Sequence, residues 1–268
     1  GTGDFTHPKW LEELKKDLIE VQDANLYKPA QNPESSVHYM ITSEAATIFS
    51  FEGSVKKIHH VILTPSIETA QQINDRLTPY GNLTVDGRPT LNMTAPQLVE
   101  EIMQVSNENM VIPAHAWTPW FSIFGAFSGF DSVEECYQDM TRHIYALETG
   151  LSSDPPMDWR LSKLDKFMLV SNSDSHSFWP WRIGREANVF ELEKPSYREV
   201  VDAIRFKDKD KFKFTIETDP AYGKYHWTGH RNCHVSLSPQ EAINPPFHKL
   251  LFCLICFPLL LGAVKCCV

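Results

Sequence analysis

Short apolar runs alternate with helix-periodic stretches along most of this chain, and that alternation restricts its fold more than any other feature. In PKWLEELKKDLIEVQ, Trp10, Leu11, Leu14, Leu18 and Val21 mark one helical face behind Pro8. The same periodicity fills IETAQQINDRL, TAPQLVEEIMQVSN with Thr94 placed to cap, SVEECYQDMTRHIYAL, and SYREVVDAIRF with Ser196 as cap. Between them lie HYMIT, HHVILT, MVIP, IYAL, FMLV and NVFEL. Strands alternating with helices predict an α/β protein built on a parallel sheet, open or closed. The 268 residues are enough for one large domain of that type or for two small ones.

The residues at the ends of the apolar runs carry the chemistry. YMITSE ends in Glu44, MVIPAH in His115, YALE in Glu148, and FMLVSNSDSH in Asp174 and His176. In parallel α/β folds the loops after the strands open on one face, so residues distant in sequence converge there. Asp174-x-His176 puts a hard oxygen and a neutral nitrogen two residues apart, on one side of an extended segment. That mixture suits zinc, manganese or iron better than calcium. In KKIHHVILTP, strand alternation turns one of His59 and His60 inward, and we read His60 as that one. Glu44 reads as a helix-capping acid or as a carboxylate bridging two metals, and His115 as a core histidine or a ligand. Asp4 and His7 in GDFTHP read as caps of the first helix or as further ligands. Taken singly each has a structural explanation; five such sites at strand ends together point to a metal centre.

The net charge of −9 argues against a generally basic nucleic-acid surface, without excluding a local groove. Cys136 is alone in the first 232 residues, whereas Cys233, Cys253, Cys256, Cys266 and Cys267 crowd the end, unlike a secreted disulfide framework. GTGDFTHPKW carries no signal-peptide pattern, so a cytoplasmic protein is expected. The apolar run at 250–264 is shorter than the roughly 18 to 20 residues of a membrane span and contains Pro258, so no membrane partner is expected. From about residue 219 helical periodicity stops and Gly, His, Cys and Pro become dense. The expected division is therefore 1–218 and 219–268.

The order GDFTH, Glu44, HHVIL, His115 and SDSH resembles the PHP (polymerase and histidinol phosphatase) superfamily. More closely, HAWTPWFSIFGAFSGFDSVEEC, YALETGLSSDPPMDWRLSKLD, LVSNSDSHSFWPWRIGREANVFE and GKYHWTGHRNCHVSLSPQE resemble the endonuclease Q family, from residue 1 to about 243. The resemblance implies a distorted (β/α)7 barrel with a multinuclear metal centre, followed by a zinc-binding segment. PHP proteins begin with a His-x-His strand that supplies two ligands, and this sequence starts beyond that place. After Ile243 it leaves the family pattern, though Cys253 and Cys256 keep a C-x-x-C that with Cys233 would form a structural zinc site.

Members of the family nick DNA on the 5′ side of deaminated bases such as uracil, hypoxanthine and xanthine, and at abasic sites. The resemblance therefore implies damaged DNA as partner and divalent ions, zinc, manganese or magnesium, held by Glu44, His60, His115, Asp174 and His176, with Asp4 or His7 contributing. Asp174 and Glu44 carry the catalytic role, and Glu148 orients a ligand from behind. Trp117, Trp120 and Phe121, with Trp179 and Trp181, are candidates to stack on an extruded base, the alternative being a loop core. Arg182 and Arg185 are candidates for phosphate contact, or for ion pairs with Glu186 or Glu191. Two other functions stay open: a phosphatase of a small phosphate monoester, and an inactive fragment that binds metal or DNA.

Overall fold

A computed structural model of the chain describes residues 1–85, 87–223, 225–230 and 235–243. Helix α1 (Pro8–Asp17) leads into a small antiparallel hairpin of β1 (Leu18–Val21) and β2 (Leu26–Pro29). The helical face expected to run through Leu18 and Val21 therefore stops at Asp17, where the backbone of Leu18 turns extended. Two long strands come next, β3 (Ile41–Phe51) and β4 (Ser54–Thr64), then α2 (Ile67–Leu77), the two-residue β5 (Thr90–Leu91), α3 (Ala95–Val105) and β6 (Met110–Pro113). They form one mixed sheet in the order β5-β3-β4-β6. The turn between β3 and β4 needs positive φ at both central residues, supplied by Glu52 (47°) and Gly53 (77°), which is the geometry that matches strand twist in a tight hairpin.

The remaining elements are α4 (Val133–Tyr137), β7 (Ala146–Glu148), α5 (Pro155–Asp158), β8 (Met168–Val170), α6 (Pro180–Ile183), β9 (Ala187–Phe190), α7 (Tyr197–Arg205), β10 (Phe212–Ile216), β11 (Thr228–His230), β12 (Val235–Leu237) and α8 (Pro239–Ile243). β7 and β8 pair in parallel; β9 with β10 and β11 with β12 pair antiparallel. Thr94 and Ser196 cap α3 and α7 through their side chains, and Thr94 forms a full capping box with Gln97.

Two expectations are corrected. Among the described residues the strands make five separate sheets and no closed barrel, and the longest pairing, β3 with β4, is antiparallel. The hairpin is hidden in the sequence because each of its strands reads as the end of a βα unit. The long helix expected over 132–147 is reduced to α4, after which Gln138 takes a positive φ of 50° and the chain continues as a 3-10 turn.

The four-stranded sheet and the β7–β8 pair contribute side chains to packed apolar clusters on both sides, as runs without polar alternation require. On one side Ile41, Ala45, Ile58, Ile62, Val111 and Leu169 pack against α1, α2 and α3. On the other, Met110, Ile112, Met168 and Val170 pack against Tyr197, Val201 and Ile204 of α7. This second side opens, toward the C-terminal end of β8, into a cleft of about 680 Å³. Cys233, Cys253 and Cys256 lie outside the described residues, as does the apolar run at 250–264. Among the described residues no helix is long and apolar enough to cross a membrane.

Candidate metal centre

Strand parity decides which histidine reaches the cleft. On β4, His60 shares its face with Ile58 and Ile62 of the helix-packed core, whereas His59 shares its face with Val61 and Leu63, which line the cleft. The reading of His60 as the ligand is therefore corrected. Its ring is completely buried, with Nε2 2.9 Å from Thr47 Oγ1 and Nδ1 2.9 Å from Tyr137 Oη. Burial holds it neutral, with a pKa lowered to about 3. Because both faces of β4 are apolar, alternation alone does not separate the two.

On β3, Glu44 pairs with Val61 and lies diagonal to His59 across the ladder. His115 arrives from the end of β6. Glu44 Oε1 is 3.2 Å from His59 Nδ1 and 3.5 Å from His115 Nε2, and the two ring nitrogens are 3.0 Å apart. Burial pulls His59 down to about 4. Burial also acts against the charged forms of Glu44 and His115, but their contact outweighs it, lowering the carboxyl and raising the imidazole. Two imidazole nitrogens at hydrogen-bond distance can share only one proton, and an N–H from the pair also faces the Glu44 carboxylate, which accepts. One ligand atom from each of the three residues lies within 4.8 Å of the others, a nitrogen-nitrogen-oxygen set that fits a divalent cation.

The surroundings brace this group. Thr118 Oγ1 lies 2.5 Å from His115 Nδ1, Phe121 stacks on the His59 ring at 4.6 Å, and the Phe121 carbonyl accepts the His59 backbone N–H. Glu148 is buried at the end of β7. Its Oε2 accepts the His115 backbone N–H at 2.7 Å, its Oε1 accepts from Asn172, and burial raises its pKa to about 7. Asp4, His115 and Asp174 all adopt positive φ, at 50°, 31° and 43°, a conformation costly for side chains other than glycine and concentrated at functional sites.

Asp174 lines the same cleft, whereas His176 stands exposed beside it and is not part of the lining. β8 ends at Val170, and Asp174 lies in the irregular segment that follows, with a left-handed rather than an extended backbone. Arg88 connects this segment to Glu44: its Nη1 is 2.9 Å from Glu44 Oε1 and 3.5 Å from Asp174 Oδ1, and its Nη2 donates to His176 Nε2 at 3.0 Å. His176 Nδ1 in turn donates to the Asp174 carbonyl. No sequence pattern singles out Arg88. Its position follows from β5, whose parallel register sets Thr90 beside Ala46, with the Pro89 carbonyl accepting the Ala46 N–H. Asp4 lines the cleft, whereas His7 stands at the N-cap of α1, makes no side-chain cap bond and is not part of the lining.

Of the aromatic candidates, Trp117 is corrected: it is buried and packs on Phe124 at 4.5 Å. Phe121 serves His59 as described. Trp120 is exposed and stacked on Phe127, and Phe178, Trp179 and Trp181 form a second exposed stack, with centroid spacings of 4.8 and 5.0 Å. Arg182 is exposed on α6. Arg185 makes neither of the expected ion pairs; it donates to the carbonyls of Ser173 and Asp174.

No family model matches the chain. It is 32% identical over 133 residues to the uncharacterised protein MJ0043 of Methanocaldococcus jannaschii, covering 48% of this chain and 16% of that one. It is 28% identical over 177 residues to the uncharacterised protein YqxK of Bacillus subtilis, covering 66% and 44%. The chain thus spans less than half the length of these curated relatives. Among solved structures it is similar to the lesion-specific endonuclease PfuEndoQ of Pyrococcus furiosus, with TM-score 0.72, 29% identity, and coverage of 91% of this chain and 56% of that one. An endonuclease Q complex with a 27-mer duplex carrying an abasic lesion at the active site gives TM-score 0.72 and 29% identity, with coverage of 91% and 57%. The resemblance to endonuclease Q read from the sequence is therefore matched by the fold.

Proposed function

We propose that this chain carries the phosphoesterase part of a DNA repair endonuclease that cuts 5′ of a deaminated base or at an abasic site. The observation that carries the reading is the meeting of Glu44 Oε1, His59 Nδ1 and His115 Nε2 beside Asp174 and His176, in a fold shared with endonuclease Q. The two main sheets are taken as walls of an open PHP-type (β/α)7 arrangement within residues 1–218, with the cleft as its mouth. A zinc-binding segment over 219–268 belongs to the same reading.

Divalent ions held by Glu44, His59, His115, Asp174 and His176 would lower the pKa of bound water and neutralise charge developing on the scissile phosphate. The protein supplies the rest. Glu148 fixes His115 from behind, Thr118 sets its ring orientation, and Phe121 shields the face of His59 from water. The Trp179 and Trp181 stack is the surface we assign to unpaired bases, because aromatic faces accept any base.

The test is incubation with Mn2+ or Mg2+ and duplexes containing a single uracil, hypoxanthine or abasic site, beside a generic phosphate monoester. The expected result is nicking 5′ of the lesion, lost on Asp174→Ala with the circular dichroism spectrum unchanged. Hydrolysis of the monoester alone would assign the site to a phosphatase instead.

A further inference from the structure

We propose that Arg88 is a phosphate-binding residue held in reserve by the acids of the metal centre. Without divalent cations its guanidinium neutralises Glu44 and Asp174; with cations on those carboxylates it turns to the phosphate of the substrate. The inference rests on the functional reading above and names the residue that would hold the substrate anion.

Three segments converge on this one side chain or fix its origin: β3 brings Glu44, the segment after β8 brings Asp174 and His176, and the neighbouring strand β5 sets where Arg88 starts. The contact with Glu44 uses Oε1, the same oxygen that faces His59 and His115. A divalent cation bound by that triad would meet a guanidinium on a shared oxygen, in a half-buried site where water screens the repulsion between like charges poorly. Guanidinium and cation therefore compete for Glu44. Arg88 keeps 24% of its side chain accessible, and Gly87 before it has a positive φ of 75° with nothing within 4 Å of where a β-carbon would stand.

The cleft explains where the displaced group would go. Its polar lining includes Asp4, Glu44, Glu148 and Asp174, a mouth that repels a phosphodiester unless cations offset it. Arg88 bonds two of these acids, and its planar fork matches two phosphate oxygens, a geometry that lysine lacks.

The experiment compares the parent chain with Arg88→Gln and Arg88→Lys. Mn2+ affinity is measured by calorimetry without DNA, and binding of a duplex with one abasic site is measured against salt concentration with Mn2+ present. Arg88→Gln should bind Mn2+ about tenfold more tightly, because a competing charge is gone. It should bind the duplex more weakly, with the slope of log affinity against log salt reduced by about 0.9, one phosphate contact. Arg88→Lys should fall between. Unchanged or weaker Mn2+ binding by Arg88→Gln overturns the exchange, and an unchanged salt slope overturns the phosphate contact. Inorganic phosphate titrated into the Mn2+-loaded proteins separates this from the functional reading. Arg88-dependent phosphate binding in a chain that binds no duplex keeps the inference and discards the nuclease, and phosphate binding indifferent to Arg88 sinks it.

Discussion

His59 Nδ1 and His115 Nε2 lie 3.0 Å apart, although the two residues are separated by 56 positions, one inside β4 and the other beyond the end of β6. Neighbouring His60, one residue along the same strand, has both ring nitrogens taken by Tyr137 and Thr47 in the core. Substitution should separate these roles. His59→Ala should remove Mn2+ or Zn2+ binding in calorimetry while the thermal midpoint of the metal-free chain changes little. His60→Ala should cost about 3 kcal/mol of stability in urea unfolding, since it leaves a cavity and takes the His60 partner from the buried hydroxyls of Tyr137 and Thr47, of which Thr47 keeps a long bond to the Ile58 carbonyl. Equal stability losses in the two variants would contradict the assignment of His59 to the centre.

Gly150 makes the close approach of His115 sterically feasible. A β-carbon on Gly150 would stand 2.6 Å from His115 Cβ, and its φ of 65° already disfavours any other residue. Gly150→Ala is therefore expected to push His115 off Glu44 and weaken metal affinity at least about tenfold, with a further stability loss of about 1 to 2 kcal/mol from backbone strain. Calorimetric metal titration of this variant would count against the packing argument if the affinity were unchanged.

Arg182 and Arg185 are three residues apart and should behave differently. Arg185 donates to the carbonyls of Ser173 and Asp174, so its side chain holds the segment that presents Asp174. Arg185→Gln should lower kcat with KM and the salt slope of binding nearly unchanged, a positioning effect that Arg185→Lys partly rescues. Arg182 is exposed beside the aromatic stack. Arg182→Gln should reduce the salt slope by about 0.9 and leave kcat near the parent value.

Local patterns make some of these residues legible in the sequence and leave others hidden. Thr94 and Ser196 are legible as caps because their short-range pattern determines the geometry they serve. His115 is legible as a strand-end residue because the apolar run before it is short and unbroken, whereas Glu44, expected at a strand end, lies inside β3, because the run before it continues as a long hairpin strand. The hairpin of β3 and β4 is not, since Glu52-Gly53 joins two long apolar strands with none of the usual Asn-Gly signal. His59 escapes because both faces of β4 are buried, so that only the packing of α2 and α3 distinguishes core from cleft. Arg88 is invisible because a parallel pairing of two residues, with no local pattern, brings it to Glu44.

The aromatic residues divide by burial. Trp179 and Trp181 are 48% and 65% exposed and stack at 5.0 Å, whereas Trp117 is 2% exposed. Trp181→Ala should weaken binding of an abasic or single-stranded DNA by about 1 to 3 kcal/mol with no loss of thermal stability. Trp117→Ala should instead cost about 3 to 5 kcal/mol of stability through the cavity it opens. Fluorescence anisotropy and thermal melts of both variants read the two effects side by side.

Glu217 gives the fold a pH dependence of unusual sign. Burial raises its carboxyl to about 7, the nearby Glu186 pushes the same way, and hydrogen bonds from Thr215, Thr149 and Ser171 only partly offset them. The native chain then keeps a proton that the unfolded chain has already lost, and above the ordinary value of 4.5 the native state binds more protons than the unfolded one. Its contribution to stability is fully present below pH 4.5 and lost as pH rises to about 7. Burial lowers His59 and His60, which slope the other way, and raises Glu148, which slopes with Glu217, so the informative quantity is variant minus parent. Glu217→Gln should gain on the parent as pH rises from about 4.5 to 7, by on the order of 1 kcal/mol after allowance for solvent at this half-buried site. Urea midpoints at about pH 5, 6, 7 and 8 bracket that window, and a difference that stays constant across it would show that Glu217 is ionised in the native protein throughout.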